Sequence, residues 1–106
     1  MDDRELGPVG TEVVFENERV RIWNLHLEPG ERSAVHRHDH DYVLVLVSGD
    51  RIAAEPEPDT QGPVTERIEA DVVPGAVVYL ERGGVETAVN VGDRPYDEVI
   101  IELKDR

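Results

Sequence analysis

Three histidines lie close together in residues 36–40 (HRHDH), directly before the apolar run 43–47. In an extended segment, residues two apart share one face, so His36 and His38 project side by side, about 6 to 7 Å apart at the backbone. Two imidazoles in that arrangement can bind one divalent cation. A loop of solvated histidines is the alternative. His40 is either a further ligand or a residue at the rim, because the chain is expected to turn there.

Short apolar runs recur throughout the chain and must position these histidines. Gly, Pro, Asn and Asp separate these apolar runs about every ten residues, a spacing typical of an all-β sandwich or barrel. No segment has the pattern of a helix. The predicted strands are residues 12–15, 20–27, 33–36, 42–47, 51–54, 64–69, 76–80, 86–91 and 99–103. The proline-rich segment 55–63 is predicted to be an exposed loop, and residues 1–106 are predicted to form a single domain.

The histidines belong to a longer pattern that resembles the first motif of the cupin superfamily. In cupins this motif typically runs Gly, five residues, His, one residue, His, three or four residues, Glu, six residues, Gly. This sequence has Gly30, His36, His38, Tyr42 and Gly49 at that spacing. Tyr42 therefore stands where the family usually has a glutamate ligand.

A second segment is similar to the other cupin motif, which runs Gly, five residues, Pro, one residue, Gly, two residues, His, three residues, Asn. Gly75, Gly83 and Asn90 are in register, while Glu81 replaces the proline and Glu86 replaces the histidine. Together the two motifs span more than half of the chain. This resemblance to small single-domain cupins implies an antiparallel β-barrel, the jelly-roll-like double-stranded β-helix.

The resemblance also implies a metal site inside the barrel, with a changed set of ligands. The implied ligands are His36, His38 and Glu86, and Tyr42 and His40 are further candidates. Two imidazoles and one carboxylate form the arrangement used by non-haem Fe(II) oxygenases, and Mn, Ni or Zn could also suit such a shell. Tyr42 and Glu86 are the candidate catalytic residues, with Tyr42 a ligand, a proton donor or acceptor, or only a pocket wall. A vestigial, metal-free pocket is the alternative.

The fold alone does not name a reaction, since cupins host many activities. The leading hypothesis is a metal-dependent enzyme that acts on a small organic substrate, with a non-haem iron oxygenase or dioxygenase favoured. One alternative is a redox-neutral metal-dependent lyase, isomerase or cyclase. Another is a non-catalytic cupin module that binds a small ligand.

Strand alternation extends the inward face beyond the histidines. If Tyr42 points into the barrel, then Leu44 and Leu46 do so as well, and the three valines of residues 43–47 face outward. A β-branched outer face needs cover, which predicts a homodimer; packing by the N-terminal strand of the same chain is the alternative.

Other residues could line the pocket, and each is also common in a core or on a surface. They are Arg21, Trp23, Asn24, His26, Arg51, Tyr79 and Glu98. Arg21 and Trp23 have the opposite strand parity to Asn24 and His26, so only one of these pairs can face inward. The sequence leaves that choice open.

The charge of the chain limits its partners. Its 106 residues include 24 Asp and Glu against 11 Lys and Arg, and the formal net charge of −13 would repel phosphate backbones and anionic membrane surfaces. The chain has no cysteine, which excludes disulfides, thiolate nucleophiles and Cys-based metal sites. No segment approaches the length of a membrane helix. We therefore expect a cytoplasmic protein with no nucleic-acid or membrane partner.

Overall fold

Nine β-strands make up the regular structure in a computed structural model that describes residues 4–105. They are β1 (Glu12–Glu16), β2 (Val20–Leu27), β3 (His36–Arg37), β4 (Asp41–Ser48), β5 (Arg51–Pro56), β6 (Ile68–Asp71), β7 (Val77–Leu80), β8 (Val85–Asn90) and β9 (Tyr96–Leu103). Every pairing between them is antiparallel, which confirms the predicted all-β class. The described residues include no helix with the length and apolar character needed to cross a bilayer.

The strands form two sheets whose order differs from their order in the chain. One sheet has the order β1-β2-β9-β4-β7, and the other has the order β3-β8-β5-β6. The core of the first sheet includes Leu25, Tyr42 and Ile100, and Ile52 and Ala88 of the second sheet pack against that core. The apolar inner faces of the two sheets therefore share one core, which is the stable arrangement for two half-buried sheets.

The last strand shows the alternation that fixes which residues face inward. Along β9, buried residues alternate with half-buried ones, and the buried set is Tyr96, Glu98, Ile100 and Glu102. Strand β2 pairs with β9 so that Arg21 lies opposite Glu102 and Trp23 lies opposite Ile100. Since paired residues share a face, Arg21 and Trp23 belong to the inner face. The parity that the sequence left open is thereby decided.

A buried carboxylate accepts hydrogen bonds from the inward-facing side chains of Arg21 and Trp23. Arg21 Nε and Trp23 Nε1 both donate to Glu102 Oε1, at 2.9 and 2.6 Å. Asn24 and His26 lie on the opposite, exposed face, and the His26 ring meets the carboxylate of Asp97 at 2.8 Å. All four residues therefore have structural or surface roles outside the pocket.

Two turn glycines and one asparagine of the cupin-like motifs shape the barrel ends. Gly30 and Gly75 have φ values of 84° and 87°, in the left-handed region that favours glycine. Asn90 is fully buried, and its amide donates to the carbonyls of Leu27 and Arg94 at 2.9 and 2.8 Å. These motif positions therefore stabilise turns and strand ends.

The third strand differs from its predicted span, residues 33–36. Regular pairing begins only at His36, after an isolated bridge at Arg32. Between them, the carbonyl of Ala34 accepts from the His36 imidazole and the carbonyl of Val35 accepts from Gly7 N–H. These contacts use backbone groups that a strand partner would otherwise pair.

The sixth strand was predicted at residues 64–69 and lies at Ile68–Asp71. Its register with β5 runs from Arg51↔Asp71 to Ala54↔Ile68, so the hairpin pairing sets its start. Strand β5 itself extends to Pro56, so residues 55 and 56 belong to this strand and not to the predicted loop of residues 55–63. The other predicted strand ends lie within three residues of those observed.

Candidate metal centre

The pairing of β3 with β8 places two of the candidate ligands, His36 and Glu86, side by side. His36 lies directly opposite Glu86 in the register of these strands. His38 follows the end of β3, and its N–H donates to the Gly84 carbonyl at 2.8 Å while its carbonyl accepts from Gly83 N–H at 2.9 Å. Glu86 thus lies on the strand next to β3 in the same sheet. Backbone pairing alone therefore brings the three side chains together.

The ligand atoms of His36, His38 and Glu86 all lie within 4.8 Å of one another. Glu86 Oε2 is 3.3 Å from His38 Nε2 and 3.8 Å from His36 Nε2. Both histidines are only 2% exposed. This convergence of two imidazoles and one carboxylate suits a divalent cation.

The hydrogen bond of His36 strengthens that interpretation. His36 Nδ1 lies 2.9 Å from the Ala34 carbonyl, which can only accept, so Nδ1 carries a proton. In a neutral ring the unprotonated Nε2 then points its lone pair towards the Glu86 carboxylate. Two lone pairs facing each other repel, so the contact requires either a proton on Nε2 or a metal cation between the two groups. A ring oriented by its other nitrogen is typical of a metal-binding histidine.

The Glu86 carboxyl is held in its ionised form. Burial by itself would raise its pKa, but hydrogen bonds and charge interactions with His36 and His38 outweigh burial and lower the pKa to about 2. Glu86 is therefore a carboxylate at neutral pH, which is the form that binds a cation.

Tyr42 contacts this group through its ring face. Its ring stacks on His38 with centroids 3.9 Å apart and an angle of 11° between the planes. Burial, and then the charges of Glu86 and Glu98, raise the pKa of the Tyr42 phenol well above its usual value. The phenol therefore stays protonated at neutral pH in the absence of a cation, and the phenolate ligand, one of the alternatives for Tyr42, stays a prediction.

His40 lies in the bend between β3 and β4 and is half-buried. The structure does not bring it into the group formed by His36, His38 and Glu86. His40 lies two residues after His38, a spacing that gives side chains a common face only within a continuous strand. The chain turns after His38 to begin β4 at Asp41, so that rule does not apply to His40. Its Nδ1 is buried without a hydrogen-bond partner among residues 4–105.

An apolar cavity of about 210 Å³ lies beside Glu86. Eleven of its fourteen lining residues are Ala, Val, Leu or Ile, including Leu44, Leu46 and Ile52. Leu44 and Leu46 thus face inward as predicted. The interior that adjoins the candidate metal centre is built to hold an aliphatic group.

Glu98 is the second carboxyl group of this cavity, and its side chain is buried. Burial raises its pKa to about 7, although the hydroxyl of Tyr96 donates a hydrogen bond to it. The sequence placed Glu98 only among several candidates for the pocket. Its inward position could be found from the alternation of β9, once that strand was known to begin at Tyr96.

Two other candidates lie outside the cavity. Arg51 is bound to Glu69 and Asp71 at the exposed edge of the second sheet, at 2.9 and 2.5 Å. Tyr79 is 57% exposed, and its hydroxyl donates to Asp41 at 3.3 Å. The expectation that they line the pocket is wrong, because their side chains face away from the inner layer.

Comparison with known proteins gives one relative of similar length. The beta-alanine degradation protein BauB of Pseudomonas aeruginosa is 28% identical over 93 residues, which are 87% of each chain. No protein-family model matches the sequence.

Solved structures with the same fold are numerous. A cupin domain from Bordetella pertussis Tohama I is 25% identical and superposes with a TM-score of 0.76 over 98% of this chain and 100% of that one. An RmlC-like cupin with a double-stranded β-helix fold from Methanocaldococcus jannaschii is 15% identical and gives a TM-score of 0.66 over 92% and 93% of the chains. The two antiparallel sheets and these superpositions show that the chain has the double-stranded β-helix fold of the cupin superfamily.

Proposed function

We propose that this cupin is a metal-dependent enzyme for a small organic substrate, and that its cation is Fe(II) used with O₂. The convergence of His36, His38 and Glu86 beside the apolar cavity is the observation that supports the proposal most directly. A mixed nitrogen and oxygen set with open positions suits iron, and Mn, Ni or Zn would also be accepted by it.

Each residue of the site would have a separate role. His36, His38 and Glu86 hold the cation, and Tyr42 is a positioning residue that fixes the His38 ring by stacking on it. The aliphatic walls exclude water and bind the substrate. When bound, the divalent ion supplies Lewis acidity and a template for substrate and O₂.

A redox-neutral elimination, isomerisation or cyclisation is the second candidate. Its support is Glu98, a buried carboxyl group that lines the same cavity and is hydrogen-bonded to Tyr96. Such a group can take or give a proton at a bound substrate. Tyr42 and Glu86 suit this task less well, because the pKa of Tyr42 is raised and that of Glu86 is lowered.

Metal content and diatomic-ligand binding test this proposal. Protein purified without a histidine tag should contain about one iron per chain, measured by elemental analysis. Nitric oxide should bind to the Fe(II)-loaded protein and give a paramagnetic signal, because three ligands leave positions open. Zn retained without affinity for Fe(II) would favour the redox-neutral candidate, and no retained divalent metal would refute both.

Glu86→Gln should lower the affinity for a divalent cation by about 100-fold or more, since loss of a group that only supports a ligand already costs about 10- to 100-fold. The change removes the negative charge and nearly keeps the shape. Glu86→His should instead retain metal, because an imidazole at this position restores the usual cupin ligand. Competition with a coloured chelator measures both.

The exposed Glu81→Gln is the matched control, because it removes the same charge from a nearby position of the second motif. Its affinity should equal that of the wild type. Equal affinities for Glu86→Gln and Glu81→Gln would show that the carboxylate is not a ligand.

We also propose that the protein is a homodimer formed through the outer face of the five-stranded sheet. One row across this face places Phe15, Ile22, Ile101, Val43 and Tyr79 opposite one another on β1, β2, β9, β4 and β7. Phe15 and Tyr79 are 52% and 57% exposed. An apolar stripe that crosses a whole sheet is a surface that a second copy can cover with its own stripe.

Sedimentation should therefore find a dimer at about 50 µM, a concentration at which interfaces of ordinary affinity are saturated. Val43→Glu should shift the protein to monomer, because it places an unpaired charge in the stripe. Val73→Glu is the control, since Val73 is 62% exposed but lies in a turn between β6 and β7. A monomeric wild type, or equal effects of both substitutions, would contradict this interface.

A further inference from the structure

We propose that the cavity binds a small aliphatic amine, with its hydrocarbon chain against the apolar walls and its ammonium group at Glu98. This assignment rests on the proposed function, because it takes the cavity beside Glu86 as the substrate site. It adds the chemical class of the substrate.

The aliphatic walls of the cavity favour a ligand with a hydrocarbon chain. Three of the fourteen lining residues carry polar groups: Glu86, Glu98 and Tyr96. A ligand chain in contact with Leu46, Ile52 and Val78 would bury its surface against aliphatic groups, which contributes about 25 cal/mol per Å². An apolar cavity of 150 Å³ can hold benzene, so about 210 Å³ suits a ligand of roughly eight non-hydrogen atoms.

The charges of the cavity disfavour an anionic ligand in the metal-free protein. The lining contains two carboxyl groups, those of Glu86 and Glu98, and no Lys, Arg or His. A substrate carboxylate or phosphate would be placed among carboxyl groups without a basic partner in a buried site, where like charges repel more strongly than in water. A divalent cation at Glu86 and the histidines would keep one unbalanced positive charge, so this argument applies to the metal-free protein.

Glu98 supplies the complement of a positive group. Its side chain is buried between Leu25 and Leu46, its neighbours across β2 and β4. The Tyr96 hydroxyl donates to its Oε1, which leaves the second oxygen for a ligand. A buried carboxylate without a cationic partner is costly, and an ammonium group removes that cost. The net charge of −13 would also attract a cationic ligand from solution.

Three ligands of matched length separate the chemical classes: hexylamine, hexan-1-ol and hexanoate. Each is titrated by calorimetry into the full chain as purified and again after removal of metal by a chelator. Hexylamine should bind about tenfold more tightly than hexan-1-ol in both states, and hexanoate should bind most weakly in the metal-free state. Hexanoate binding to the metal-free protein as tightly as hexylamine would overturn the proposal.

Glu98→Gln identifies the group that recognises the amine. The substitution should weaken hexylamine binding about tenfold and change hexan-1-ol binding less than about twofold. Glu12→Gln, at an exposed position on β1, removes the same net charge and should change neither. Equal hexylamine affinities for Glu98→Gln and the wild type would overturn the assignment of Glu98. If Glu98→Gln does not fold, the ranking of the three ligands on the wild type still decides the ligand class.

These results can be distinguished from failure of the proposed function. Hexylamine binding to a protein that holds no metal would keep the ligand assignment and reject the metalloenzyme. Retained iron without any preference for hexylamine would do the reverse.

Discussion

Replacing His36 by alanine should lower the affinity for a divalent cation by about 100- to 1000-fold, because structural metal sites gain roughly 3 kcal/mol or more from each ligand. His36 supplies a nitrogen whose direction is already fixed by the bond from its Nδ1 to the Ala34 carbonyl. The loss should therefore include both the ligand and its orientation. His38→Ala should have an effect of the same size, because its Nε2 faces the same carboxylate oxygen.

Metal competition titrations of the two single variants and of the double variant measure these effects. His26→Ala is the control, since that ring lies on the exposed outer face and is bound to Asp97 and Glu28. The double variant should retain no stoichiometric metal. Metal content that survives both substitutions would place the cation elsewhere. Circular dichroism should show that each variant keeps its β-structure.

Replacing Glu98 by glutamine should stabilise the metal-free protein above neutral pH by about 3 kcal/mol, the free energy of a pKa shift from 4.5 to about 7 at 1.36 kcal/mol for each pKa unit. The folded protein binds the Glu98 proton more tightly than the unfolded chain does. The contribution of Glu98 to stability is therefore largest below about pH 4.5, falls as the pH rises to about 7, and is constant above that value. Burial is the main cause of the raised pKa. The charge of Glu86 adds to it, while the Tyr96 hydroxyl and His36 oppose it.

Urea unfolding of wild type and Glu98→Gln across this pH range tests the effect. The two stabilities should be similar at about pH 4.5 and should diverge up to about pH 7. Glu12→Gln, which changes an exposed carboxyl group, should follow the wild type. Parallel curves for Glu98→Gln and the wild type would show that Glu98 is not held protonated by the fold. Data from more acidic solutions also contain the protonation of Glu86, whose lowered pKa destabilises the fold as the pH falls below about 4.5.

The strands were predicted well wherever a run of alternating residues and a turn signal coincided. Strand β2 has its predicted span, β7 differs from its own by one residue at one end, and β8 differs by one residue at each end. The errors lie where tertiary contacts compete with local preference. The carbonyls of Ala34 and Val35 accept from the His36 imidazole and from Gly7 N–H, and the start of β6 is set by its register with β5.

The order of residues by itself determined the fold family and the residues that form the candidate site. Gly30, His36, His38 and Glu86 stand at fixed spacings along the chain, and such spacings are readable without coordinates. Periodicity likewise placed Leu44 and Leu46 inside, because side-chain direction within a strand follows from the pleat alone.

Only the tertiary structure decided how these residues act together. The pairing of β3 with β8 places Glu86 beside His36, the turn after His38 separates His40 from the ligands, and stacking directs the Tyr42 ring onto His38. The enclosure of Glu98 was equally hidden, since it depends on β2 and β4 covering both sides of β9. Contacts between residues far apart in the chain depend on strand register, and a shift of one residue would reverse every side chain of a strand.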